Sequence, residues 1–196
     1  MEFDLDDVDT GTVYRTLSGA VVPRPIGWIS TTSEAGVDNL APYSFFNVVS
    51  IAPPVVMFAP IDGEDGLKDT PRNVLDTEEF VVNVVTADLA EAMNATSATL
   101  PEGESEFDHA DLDRAPSAAV APPRVAAAQV HFECELFDFV DVGVASLVLG
   151  RVVHAHVADG VTTDGKLDVQ KLDALGRLAG SYYARTRDRF SLERPP

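Results

Sequence analysis

The segment Gly66-Leu67-Lys68-Asp69-Thr70-Pro71-Arg72-Asn73-Val74-Leu75 sets two cations around a helix-start signal in an otherwise acidic chain. Threonine can accept from the free amides at a helix N-terminus, and proline suits the first helical position. Thr70 and Pro71 therefore predict a helix whose first turn offers unpaired N–H groups and the positive end of a dipole. With Lys68 and Arg72 close by, that arrangement suits a phosphate dianion. Spacing alone equally allows a plain capped helix with Lys68 as a solvated charge.

A second segment, Asn39-Leu40-Ala41-Pro42-Tyr43-Ser44-Phe45-Phe46-Asn47, mixes small, aromatic and hydrogen-bonding residues where a simple strand would alternate. A flat heterocycle such as a flavin needs that mixture: apolar contact on its faces, amides and hydroxyls at its edge. A packed strand leading into a turn satisfies the same residues. His154 and His156 alternate on one strand face, as a pair of metal ligands would, but no cysteine or carboxylate pattern in the nearby sequence completes a site. The one cysteine, Cys134, lies in the alternating run Val130-His131-Phe132-Glu133-Cys134-Glu135-Leu136 and reads as a buried, inert thiol.

The elements that must position these residues are mostly strands. At 196 residues and 45% hydrophobic content, the chain suits one sizeable core, so a single domain over 1–196 is expected. Asp9 or Thr10 caps a helix to about Ser18, and Ile26 to Thr31 then reads as a strand. Turn residues Glu34-Ala35-Gly36 lead to a returning segment, Val37 to Pro42, making a hairpin. Further strands are predicted at Val55 to Ala59, Phe80 to Val85, Val130 to Phe137, Val144 to Val157 and Leu167 to Val169. Helices are predicted at Ala87 to Ala95, capped by Thr86, and at Lys171 to Leu178. Ser97 to Pro123, rich in Ala, Pro, Ser and acidic residues, reads as a long surface excursion. Long apolar strands with short scattered helices argue against βαβ units and for an antiparallel barrel.

The net charge of −18 excludes nucleic acid and anionic membranes as natural partners. It also matches a protein of a high-salt cytoplasm, where screening relieves self-repulsion. No run of about 18 apolar residues is present, and the N-terminus is acidic where a targeting signal would be basic.

Taken in order, Arg24-Pro25-Ile26-Gly27-Trp28-Ile29-Ser30-Thr31, Asn39 to Phe46, Lys68-Asp69-Thr70 with Asn73, Gly150-Arg151-Val152-Val153 and Gly176-Arg177-Leu178-Ala179-Gly180-Ser181-Tyr182-Tyr183 form a pattern. The chain resembles the flavin reductase-like FMN-binding family, which includes flavoredoxins and the flavin-supplying partners of two-component monooxygenases. The resemblance runs from about residue 14 to 183. It implies a mainly β fold, an FMN-binding split β-barrel with short peripheral helices, and a homodimer with FMN near the subunit interface. It further implies that Ser30 and Thr31 approach the phosphate or ribityl end, and that Ala41, Pro42, Tyr43 and Ser44 border the isoalloxazine, with Asn47 closing that segment. Lys68, Asp69, Thr70 and Asn73 would hold the phosphate, and Arg177, Tyr182 and Tyr183 would serve the ring or the dimer contact.

The resemblance implies an oxidoreductase moving electrons from NADH or NADPH through FMN to free flavin, a monooxygenase partner or a small acceptor. Hydride transfer of this kind needs no side-chain nucleophile or general base. Some short-chain relatives carry a histidine before the Gly-Arg-Val stretch, where this chain reads Asp141-Val142-Gly143-Val144-Ala145. A flavoredoxin-like electron carrier that takes electrons from a protein donor, or a non-catalytic module for flavin or another phosphorylated ligand, are the competing expectations.

Overall fold

The computed structural model describes residues 2–63, 66–101 and 103–195. In chain order they form α1 (Thr10–Ala20), β1 (Arg24–Pro25), β2 (Gly27–Thr32), β3 (Asp38–Tyr43), β4 (Phe46–Ile51), β5 (Pro54–Phe58), α2 (Asp69–Thr77), β6 (Glu79–Val84), α3 (Ala90–Ala95) and α4 (Glu106–His109). The remainder is β7 (Arg114–Ala115), β8 (Arg124–Val125), β9 (Val130–Val142), β10 (Ala145–Val157), β11 (Thr162–Thr163), β12 (Lys166–Leu167), α5 (Val169–Leu172), β13 (Leu175–Arg177) and β14 (Tyr183–Arg185). No helix among the described residues is long and apolar enough to cross a membrane.

Seven strands lie side by side in the order β3-β2-β6-β9-β10-β5-β4, each neighbouring pair antiparallel. Laid flat at about 4.8 Å per strand, such a sheet would hold β3 and β4 roughly 29 Å apart. Yet only Ser44 and Phe45 separate the end of β3 from the start of β4, and three residue steps reach about 11 Å at most. The sheet must therefore curl until its two edges meet at that end. They meet without pairing, since β3 and β4 share no ladder. Gly27 on β2 shows how close the approach is: a Cβ there would lie 2.7 Å from Phe46 Cδ2 on β4.

Strand alternation sorts β2 onto two cores. Ile29 joins Val56, Phe58, Phe80, Val82, Cys134 and Val148 in one cluster, to which α2 adds Val74. Trp28 faces the other way, into a cluster with Leu40, Val85, Met93, Phe107 and Val125. Phe107 and Val125 belong to the 97–123 stretch and its immediate continuation. That stretch is therefore a cover packed on β3 and β6, and only partly the surface excursion its composition suggested.

Several local expectations change: Thr86 makes no side-chain cap bond, and Val169 opens α5 where a strand over Leu167 to Val169 was expected. The α2 helix begins at Asp69 with Lys68 in the capping position and no side-chain cap bond, so Thr70 is not the cap. Its side chain turns inward, 1% exposed. The predicted helix at 171–178 is instead α5, stopped by Asp173 in the left-handed region (φ 46°), followed by strand β13 paired with β1 and β14. Gly176 lies in that strand because a Cβ there would sit 2.9 Å from Pro23 Cβ. Phe46–Ile51, given no element by its pattern, forms the edge strand β4.

Candidate functional site

Where the barrel stays open, no strand among the described residues lies on the outer side of β3. The start of α2 and the chain from Thr96 to Leu100 stand across from it, and between them lies a cleft of about 520 Å³. One wall carries Asn39, Ala41, Pro42 and Tyr43, the opposite wall Lys68, Asp69 and Thr70, and a third Thr96 to Leu100 with Glu106. That volume falls in the range of small-molecule sites, about 300–1,000 Å³.

Each wall is anchored by a buried polar contact. The Trp28 indole, fully buried, donates to Thr96 Oγ1 at 2.8 Å, and the Thr96 hydroxyl donates to the Met93 carbonyl at 2.8 Å. This pins the Thr96–Leu100 wall to β2 and α3. On the opposite side Asn73 Nδ2 donates to Thr31 Oγ1 at 3.0 Å, both residues buried, which fastens α2 to β2. The amide of Leu40 donates to Glu106 Oε2 at 2.9 Å, closing part of the open edge of β3. Burial pushes the Glu106 carboxyl above the ordinary carboxylate range, against the lowering effect of the Leu40 amide. Burial likewise raises Tyr43, opposed by a hydrogen bond with Thr70, so the phenol stays protonated as an uncharged wall.

Among the described residues, one buried side-chain donor in the cleft has no protein partner. Asn39 is 7% exposed and its Nδ2 makes no hydrogen bond. A buried donor left unpaired costs roughly 1–3 kcal/mol, and this one borders the cleft.

Comparisons with known proteins fix the context. The profile of the flavin reductase like domain matches residues 18–185. The chain belongs to the flavin reductase like family. Nitrilotriacetate monooxygenase component B from Bacillus cereus is similar, with a TM-score of 0.95 at 32% identity over 98% of each chain. The 2-nitrobenzoate 2-nitroreductase of Pseudomonas fluorescens superposes with a TM-score of 0.90 at 30% identity, covering 100% of this chain and 96% of its own. A flavin reductase with a split barrel domain from Shewanella frigidimarina shares the fold at a TM-score of 0.84, 22% identity, and 100% and 98% coverage. The fold is thus the mainly β split barrel with short helices, and the family's chemistry is flavin-dependent oxidoreduction.

The cleft fits the flavin that this family implies. It offers a wall of small and aromatic groups at Ala41 to Tyr43, free helix-start amides with Lys68, and an unpaired buried amide donor at Asn39. Ala41, Pro42, Tyr43, Lys68, Asp69 and Thr70 are brought together here. Thr31 and Asn73 do not border this cleft; both are buried and bonded to each other, and Asn73 lines an adjoining cavity. Ser30 points to the other face of β2, where its hydroxyl donates to the Pro123 carbonyl at 2.5 Å. Asn47 is exposed on β4, accepting from its neighbour Val48, and the structure does not bring it to the cleft. Ser44 and Arg177 border a neighbouring cleft of about 290 Å³ with Tyr14 and Tyr183, which shares Pro42 and Ser97 with the first. Arg177 donates to the Tyr183 hydroxyl and the Gly180 carbonyl and stacks over the Tyr183 ring, its Cζ 4.6 Å from the centroid. Tyr182 is 73% exposed.

Sequence reasoning assigned no role to Asn39, Thr96 or Glu106. Asn39 was visible at the head of its segment, but only the fold shows its amide unpaired. Glu106 carried no signal, being one acid among 32. Arg24 is a further case: buried, it donates to the Ser18, Val21 and Leu178 carbonyls, and its Nε lies 3.5 Å from Ser44 Oγ. Cys134 is buried and its thiol is pushed far up by burial.

Proposed function

We propose that this chain is a flavin-binding oxidoreductase that holds the FMN moiety in the cleft and passes electrons from NADH or NADPH to flavin, to a monooxygenase partner or to a small acceptor. The observation that carries this reading is the meeting of the Ala41–Tyr43 wall with the start of α2 and Lys68 in one cleft. Ala41, Pro42 and Tyr43 contact the ring, with Ser44 at its edge. Lys68, Thr70 and the first amides of α2 hold the phosphate. Thr31 and Asn73 position α2. Bound flavin supplies hydride acceptance and release; the protein supplies orientation, an uncharged Tyr43 surface and hydrogen-bond donors.

Two further features support a whole assembly. The edge strand β4 exposes Val48, Val49 and Ile51, at 61%, 54% and 90%. An apolar edge of that kind calls for a cover, and we propose that a second copy of the chain provides it, as one domain per subunit. The strongly acidic surface supports a cytoplasm of high salt.

The test is anaerobic mixing of flavin-loaded protein with excess NADH and then NADPH, followed at the flavin absorbance maximum. Rapid bleaching by either nucleotide is expected. Bleaching by neither favours the electron carrier, a reading that one observation supports: residues Val142, Gly143 and Val144 form the exposed tip of the β9–β10 hairpin, with no histidine there. Protein that stays colourless with added FMN at high salt would leave only a non-flavin module.

A further inference from the structure

The neighbouring cleft differs from the flavin cleft in its charge. It measures about 290 Å³ and shares Pro42 and Ser97 with the larger space, so it opens beside the Ala41–Tyr43 wall. The larger cleft is bordered by the carboxylates of Asp69 and Glu106. Among the described residues the smaller one has no carboxylate in its lining, and Arg177 is the one charged side chain there. In a chain of net charge −18, such a space is a local region of positive potential.

A second guanidinium stands behind the first. β1 and β13 pair with Arg24 directly opposite Arg177, a register that sets both side chains on one face of the ladder, where like charges repel. Arg24 is 5% exposed, so water screens it little. Neither arginine forms an ion pair among the described residues, although acids outnumber bases 32 to 14. Arg24 donates to the Ser18, Val21 and Leu178 carbonyls, and Arg177 to the Gly180 carbonyl and the Tyr183 hydroxyl. Those acceptors satisfy donors but bring no negative charge, and they leave part of the Arg177 fork for a ligand. Arg24 is linked to the cleft through Ser44, whose Oγ lies 3.5 Å from its Nε and which borders the space.

The walls indicate what carries the anion. Tyr14 contributes an aromatic ring, and Ile26 and Met93 contribute apolar surface. The volume lies at the low end for small-molecule sites, about 300–1,000 Å³, which gives room for one substituted ring and too little for a dinucleotide. A carboxylate matches the planar guanidinium fork. We propose that this cleft binds a small aryl carboxylate, its carboxylate on Arg177 in the field of Arg24 and its ring against Tyr14 and Pro42. The anion site stands on the two arginines. That its occupant is the small acceptor, lying beside the flavin ring, rests on the flavin reading above.

The experiment is calorimetric titration of the purified full chain with benzoate at fixed ionic strength, with benzamide, acetate and inorganic phosphate for comparison, repeated on protein loaded with FMN. Benzoate is expected to bind at least tenfold more tightly than each of the other three, and Arg177→Gln should remove that advantage. Because Arg177 also braces Tyr183 and Gly180, Asn94→Asp at an exposed position on the cleft supplies an independent reading. It should weaken benzoate at least fivefold by repulsion while benzamide and FMN affinity and the melting temperature stay unchanged. In FMN-loaded protein, benzoate is expected to shift the flavin absorption spectrum. Benzamide or phosphate binding as tightly as benzoate, or benzoate affinity untouched by both substitutions, overturns the proposal. Benzoate that binds without shifting the flavin spectrum overturns its placement beside the ring. Benzoate bound by a chain that takes no flavin sinks the flavin reading while the arginine site stands.

Discussion

Lys68 is one of three lysines in a chain of net charge −18, and it stands exposed at the start of α2 against the cleft. Lys68→Ala should weaken flavin binding by roughly 1.5–3 kcal/mol, toward the lower end because the ammonium is solvated in the free protein. Titration at fixed ionic strength measures this, and unchanged affinity would remove Lys68 from the site. Glu133 is the reverse case, a fully buried carboxylate with no local signal to single it out. Burial pushes it up, but the amides of Ala118 and Ala119 and the imidazole of His156 together outweigh burial and hold it below the ordinary carboxylate range. A lowered folded pKa contributes stability that is present above the unfolded value and lost as pH falls through the folded one. Thermal melts should therefore show Glu133→Gln destabilised at pH 7, with the gap to wild type closing as pH falls through the carboxylate range. A gap independent of pH would mean that packing, not charge, is what Glu133 contributes. At this scale residue types were legible and partners were not. Lys68 could be read from its neighbours, whereas the bond from Trp28 to Thr96 spans 68 residues and has no local signature.

At the scale of elements, periodicity located β2, β3, β5, β6, β9 and β10, and Asp9 caps α1 as its type predicts, accepting from the Thr12 amide at 3.0 Å. It failed where an element is defined by what it packs on. β4 carries apolar residues on both faces, so it lacks alternation, and β13 exists because β1 and β14 supply its ladder. Gly150 shows how a motif residue can be an element-level constraint. It lies on β10 beside a register shift, and a Cβ there would meet Phe80 Cζ at 2.2 Å and Cys134 Cβ at 3.1 Å. Gly150→Ala should cost about 1–3 kcal/mol by overpacking, with no change in flavin specificity. Denaturant unfolding checks it, and an unperturbed midpoint would show that Phe80 has room to move.

For the whole molecule, the exposed β4 edge and the acidic surface make separable predictions. Ile51→Lys should convert a dimer to a monomer in light scattering, and a wild-type mass of 21.0 kDa would refute the interface outright. Melting temperature should rise as KCl increases toward molar concentration, because screening relieves the self-repulsion of a net charge of −18; a flat or falling trend would end the high-salt reading. The sequence by itself determined the class of fold, the place of a helix start beside Thr70 and, through the order of its motifs, the family. Those properties reside in residue type and local spacing, which short-range sterics and charge express directly. Only the tertiary structure decided that β3 and β4 are opposite edges of one sheet joined by two residues, and so that the barrel curls and stays split. The cleft exists because of that closure: it lies along the unpaired side of β3, where Asn39 and Glu106 meet α2 from distant parts of the chain. Pairings of that range depend on the packing of the whole chain, which no local pattern encodes.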